Sequence, residues 1–241
     1  MPHVTVLCAP SPKGGVVLLQ EAFGVTPYLL DVGRQLVDVG WNVAIPHLYH
    51  RSGSPTFYYN VNNGDGVDDR QPEAERAASQ AIVPHALALS ESGVMQDVDD
   101  SITALGSVGI APENIGLVGF CFGGSVALYA SATRALGAAV VFYGAGIRSS
   151  HFSVPAFTEV AEGRQTPLLG LYGALDKHIP SEDVEALELA VNLSRAAGSV
   201  RRFPAAEHGF HSKLRSAYEP QSAEAAWATA LDWLHSYASA K

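Results

Sequence analysis

The sequence predicts an α/β fold, a mostly parallel sheet with helices on both faces. Short apolar runs alternate along the chain with longer segments of helical period, and Gly, Pro and Asp gather at the joints between them. Residues 4–8 and 16–20 are the first two apolar runs, parted by Pro10, Pro12, Gly14 and Gly15. The helical stretch 28–39 leads into a third strand at 43–46. Four further strands are expected at 115–119, 138–142, 168–172 and 200–203, with helices over 98–107, 124–133, 184–197 and 223–237. Residues 50–66, rich in Ser, Gly, Pro, Asn and Tyr, have no period and read as a loop, either a surface excursion or a cover over a site. No repeat or domain boundary is visible, and 241 residues, 47% of them hydrophobic, are enough for one domain around one core.

Composition excludes several functions. Charged residues are 16% of the chain against the ~25% usual for soluble domains, and the hydrophobic share is too high for disorder. With 15 Lys and Arg against 24 Asp and Glu, the net charge of −9 removes the attraction that draws proteins to nucleic acid or anionic membranes. No apolar run approaches the ~20 residues that cross a bilayer. The opening Met1-Pro2-His3 has neither basic leader nor cleavage signal, so a cytoplasmic location is expected, with Cys8 and Cys121 reduced. The absence of a Cys-x-x-Cys pair argues against zinc or dithiol chemistry, and neither metal nor organic cofactor is expected. The chain is expected to be a monomer or small homo-oligomer, with Trp227 and Trp233 of the last helix packed inward.

Chemistry enters at Gly119-Phe120-Cys121-Phe122-Gly123-Gly124, which lies between a strand and a segment of helical period. This is the pattern of a nucleophile elbow carrying Cys in place of Ser, with small residues two positions to either side letting the chains approach. The helix N-terminus at such a bend favours the thiolate, which is the attacking form. Taken alone, the motif also describes a buried cysteine filling a tight turn. The order of later residues argues for the nucleophile: an α/β-hydrolase places acid and histidine, in that order, after later strands. Asp176 follows the run 168–172 and His208 follows 200–203. Separately, Asp176 would be a turn or capping carboxylate and His208 a solvated loop histidine. Glu21 closes the second run and should reach the same edge of the sheet; its simpler role is an exposed carboxylate at a helix start.

Together, Gln20-Glu21-Ala22-Phe23-Gly24-Val25, the cysteine elbow, Gly173-Ala174-Leu175-Asp176 and Glu207-His208-Gly209-Phe210 resemble the dienelactone hydrolase family. The resemblance implies the α/β-hydrolase fold and a Cys121–His208–Asp176 triad that cleaves a small carboxylic ester or lactone through a thioester. It implies that Glu21 contacts the resting thiol and helps to deprotonate it when substrate arrives. The oxyanion hole would be the backbone N–H groups of Phe122 and Ala22. The family holds its substrate carboxylate with two arginines. Arg76 is the nearest match to the first, with Arg70 as rival, and the second position is Ser212, with Lys213 and Arg215 close by. An edge strand of the family is expected to be absent. Phe23 and Phe122 are candidate pocket walls, whereas Phe57, Tyr58, Tyr59 and Phe120 belong to the core.

Two rivals remain at this stage. One is a catalytically idle ligand-binding protein of the same fold, and the other a thiol sensor, for which Cys8 is not placed as a resolving partner.

Overall fold

The computed structural model describes residues 3–57 and 72–240. Seven strands form one sheet in the order β1-β3-β2-β4-β5-β6-β7. They are β1 (Val4–Leu7), β2 (Gly15–Leu19), β3 (Asn42–Pro46), β4 (Ile115–Phe120), β5 (Ala138–Phe142), β6 (Leu168–Gly173) and β7 (Gly198–Phe203). β1 runs antiparallel to β3 at one edge, and every other pairing is parallel. The strands expected from the apolar runs all form, with ends shifted by no more than two residues.

From β2 the chain moves outward to β3 and then returns to β4 on the other side of β2. The direction of winding reverses there, which opens a crevice beyond the carboxyl ends of β2 and β4. Leu19 of β2 pairs with Gly119 of β4 at that end, so the residues that follow each strand, Glu21 and Cys121, emerge side by side. Right-handed crossovers put α1 (Pro27–Asp38) on one face and α3 (Glu91–Gly106), α4 (Phe122–Thr133) and α5 (Ser181–Leu193) on the other. α6 (Pro220–Ala238) packs beside α1, the two helices sharing the walls of one groove. Trp227 and Trp233 of α6 pack against the core, as their positions predict.

α1 shows how the sequence sets these elements. Thr26 caps it, its Oγ1 accepting from the Leu29 N–H, and Pro27 occupies the first turn, where a missing N–H costs nothing. Tyr28, Leu29, Val32 and Leu36 face inward at helical spacing. Two departures stand out. α3 begins seven residues before the expected start at 98, because Ser90 caps it by accepting from the Gly93 N–H. α2 (Pro72–Leu87) gives no strong apolar signal: its buried stripe, Ala78, Ile82 and Ala86, holds two alanines, and Pro84 lies inside it. Of the expected loop 50–66, residues 50–52 form a short 3-10 turn, and the Phe57 N–H bonds to the Phe23 carbonyl at 2.8 Å. Residues 58–66 of that segment, with Tyr58 and Tyr59, lie outside the described residues, as does Arg70.

Candidate active site

Cys121 caps the N-terminus of α4 with φ 53° and ψ −112°, a conformation in which an L-residue is strained. The bend is built from backbone contacts. A side chain on Gly119 would overlap the Gly123 carbonyl, and one on Gly123 would overlap the Leu19 carbonyl. The Gly123 N–H bonds to the Gln20 carbonyl at 2.9 Å, and the Cys121 N–H to the Phe142 carbonyl at 3.0 Å. The main chains of β2, β4 and β5 therefore fix the position of the sulfur.

His208 Nε2 lies 3.2 Å from Cys121 Sγ, and His208 Nδ1 lies 2.8 Å from Asp176 Oδ2. The other carboxylate oxygen of Asp176 accepts from the N–H groups of His178 at 2.8 Å and Ile179 at 3.3 Å, so the loop after β6 holds the acid in one orientation. The Asp176 carboxylate is buried, and the His208 ring is only 12% exposed. Burial alone would lower the His208 pKa. The facing sulfur, together with the Asp176 hydrogen bond, outweighs it and pushes the value up to about 10. The three groups can thus hold a proton on the imidazole beside the sulfur.

Glu21 is almost wholly buried, with Arg215 Nη1 3.5 Å from its Oε1. The guanidinium of Arg215 also stands 5.4 Å from the ring of Phe23. It passes against Gly209, where φ is +83° and a side chain would collide with it, which accounts for the glycine directly after His208. Phe122 opens α4, so its N–H is among the first-turn donors with no intrahelical partner. The Ala22 peptide is held by the Tyr49 hydroxyl, which donates to the Ala22 carbonyl at 2.9 Å. Burial, and then the nearby Cys121, raise the pKa of that phenol.

These groups border a cavity of about 530 Å³ whose lining includes Ala22, Phe23, Cys121, His208 and Arg215. Phe23 is a wall, as expected, but the Phe122 ring is fully buried in the core. Arg76 is exposed on α2, and Ser79 and Ile82 of that helix reach the cavity in its place. Among the described residues, the Lys or Arg side chain that lines the cavity is Arg215, seven residues beyond His208. Sequence reasoning missed His151 and His178, which line the same cavity. Only their position after sheet strands could have marked them.

Among the described residues, His3, Asp97 and Asp100 have the spacing to hold a cation. They lie by β1 and α3, and Arg51 already pairs with both oxygens of Asp97 at 2.8 and 3.0 Å. No helix among the described residues is long and apolar enough to cross a membrane.

A parallel sheet with a strained elbow after β4, an acid after β6 and a histidine after β7 defines an α/β-hydrolase. Residues 4–238 match the dienelactone hydrolase family. The chain belongs to that family and is a hydrolase acting on ester bonds. It is 30% identical over 225 residues to a Yersinia pestis protein provisionally named a carboxymethylenebutenolidase, covering 92% of this chain and 78% of that one. A Methylorubrum extorquens protein with the same provisional name is 31% identical over 233 residues, covering 94% and 73%. A crystal structure of a provisionally assigned dienelactone hydrolase from Klebsiella pneumoniae superimposes with a TM-score of 0.78 at 27% identity, covering 97% of this chain and 92% of that one.

Proposed function

We infer that the protein hydrolyses a small carboxylic ester or lactone through a thioester on Cys121. The observation that carries this reading is the unbroken chain of contacts from Sγ through His208 to the buried Asp176. The Cys121 sulfur attacks the substrate carbonyl, whose oxygen gathers charge between the N–H groups of Phe122 and Ala22. Loss of one such donor typically costs about 3 kcal/mol or more of barrier. The C–O bond then breaks as His208 gives its proton to the leaving oxygen. Water, deprotonated by His208, attacks the thioester and releases the acid and the free sulfur.

Arg215 is the group suited to a substrate carboxylate, since its fork can bind two oxygens at once. Glu21, buried against Arg215, is the carboxylate suited to adjust the charge around the thiol when a ligand engages that arginine. A carboxylate brought near a thiolate repels it, so a movement of Glu21 would change the reactivity of the sulfur.

Cys121→Ala should abolish turnover of p-nitrophenyl acetate with the circular dichroism spectrum unchanged. Iodoacetamide at pH 6 should label Cys121, which has His208 beside it, ahead of Cys8, which is exposed just past β1. Undiminished turnover in the alanine variant would end this reading, as it would the thioester.

A further inference from the structure

Among the polar groups of the cavity with no task in the triad is the imidazole of His151. His151 sits on the loop after β5, beside Ser149, Ser150 and Phe152. A bridge between His151 and Val154 closes a two-residue turn in which Phe152 and Ser153 have φ of 46° and 66°. Turns of that hand favour Asn and Gly, and other residues incur roughly 1 kcal/mol each. The turn is held by packing. Phe152 stacks on His151 with ring centroids 4.3 Å apart and meets Phe122 edge-on at 5.4 Å, and the Ser153 hydroxyl donates to the Leu89 carbonyl at 3.1 Å. Strain of this kind persists where surrounding structure fixes a side chain for use. Here the side chain so fixed is an imidazole.

Behind it stands Ser125, one turn along α4 from Cys121, with its N–H on the Cys121 carbonyl at 3.2 Å. Ser125 is buried, and its Oγ lies 2.8 Å from His151 Nδ1. That nitrogen is the one acceptor within reach of the hydroxyl among the described residues, so the hydroxyl donates to it. The imidazole proton then belongs on Nε2, on the opposite edge of the ring. Burial, followed by repulsion from His208, lowers the His151 pKa to about 4, so the ring is neutral near pH 7. A neutral N–H donor in a cavity also lined by Ser149 and Ser150 matches an uncharged oxygen better than a carboxylate, for which Arg215 supplies the cation.

We propose that His151, positioned by Ser125, forms a subsite for an uncharged acceptor oxygen, so that the preferred esters or lactones carry a second carbonyl or hydroxyl. This inference rests on the hydrolase reading and names the class of substrate within it.

The experiment compares kcat/KM for matched esters. The acyl arm is tested with p-nitrophenyl levulinate against p-nitrophenyl pentanoate, and the alcohol arm with 2-oxopropyl butanoate against isobutyl butanoate. Each pair differs chiefly by one carbonyl. The ratio within a pair, divided by the same ratio for His151→Phe, removes differences in intrinsic reactivity. We expect this double ratio to be about tenfold for one arm, the value of one neutral hydrogen bond. The reference esters enter the double ratio for every variant, and stoichiometric alkylation of Cys121 checks that the elbow is intact. His151→Gln, which keeps a donor, should restore part of the preference, and Ser125→Ala should weaken it through KM rather than kcat. Double ratios near one for both arms, with esters still turned over, would overturn the subsite alone. Wild-type protein inert toward all four esters would overturn the hydrolase reading and the subsite with it.

Discussion

Replacing Asp176 with Asn tests the triad without dismantling the loop that carries it. The carbonyl of the asparagine can keep accepting from the His178 and Ile179 N–H groups, which Asp176 Oδ1 now holds at 2.8 and 3.3 Å. The amide NH2 would then face His208 Nδ1, where the carboxylate oxygen now lies at 2.8 Å. A donor at that place forces Nδ1 to accept, and the single proton of the neutral ring moves to Nε2, toward the sulfur. The histidine can no longer take the thiol proton. Losing a hydrogen bond to a charged group costs about 1.5–3 kcal/mol, which at about 1.4 kcal/mol per decade is a loss of roughly 10- to 150-fold. The wrong tautomer adds to this: in a serine triad the equivalent change costs about 10⁴. We therefore expect kcat/KM for p-nitrophenyl acetate to fall by about 10²–10⁴, with alkylation of Cys121 at pH 6–7 slowed in parallel and the melting temperature little altered. A kcat/KM within about threefold of wild type would show that the His208–Asp176 contact is structural, and the proposed division of roles would fall.

Two other outcomes are expected. Glu21→Gln removes the charge that faces Arg215 and should slow alkylation or turnover by at least about tenfold, equivalent to about 1.4 kcal/mol; unaltered rates would reduce Glu21 to a packing residue. Acid should destabilise the fold through His211, whose pKa burial lowers to about 3. An unfolded histidine titrates near 6.5, so below that pH the unfolded chain binds a proton that the native one refuses, and stability is lost progressively toward pH 3. Between pH 6.5 and 4.5 this amounts to roughly 2–3 kcal/mol at about 1.4 kcal/mol per unit. Urea denaturation at both pH values should show it, and His211→Phe should flatten the dependence. An equal slope in the variant would refute the assignment.

The strands and the chemistry were largely readable from the sequence because each rests on a local rule. Apolar runs such as 138–142 can form only buried parallel strands in this context, and the glycines around Cys121 mark a bend that no bulkier residue fits. α2 escaped because two of the three residues in its buried stripe are alanine, so packing rather than hydropathy holds it. Arg215 could be named only beside Lys213 as a neighbour of the expected position, because its distance from His208 along the chain says nothing of the turn that folds it back over Gly209. His151 escaped for a similar reason: Phe152 and Ser153 give no hint of the left-handed turn that tertiary contacts impose on them.

The elbow has a consequence for the range of chemistry open to this scaffold. Main-chain atoms of three neighbouring strands locate the reactive side chain, and none of those atoms depends on whether it ends in sulfur or oxygen. Seat and occupant are specified separately. A serine could take the place without moving the histidine, so the proposed thiol chemistry and an alcohol chemistry on this scaffold would differ by a single atom and the acidity its surroundings must supply.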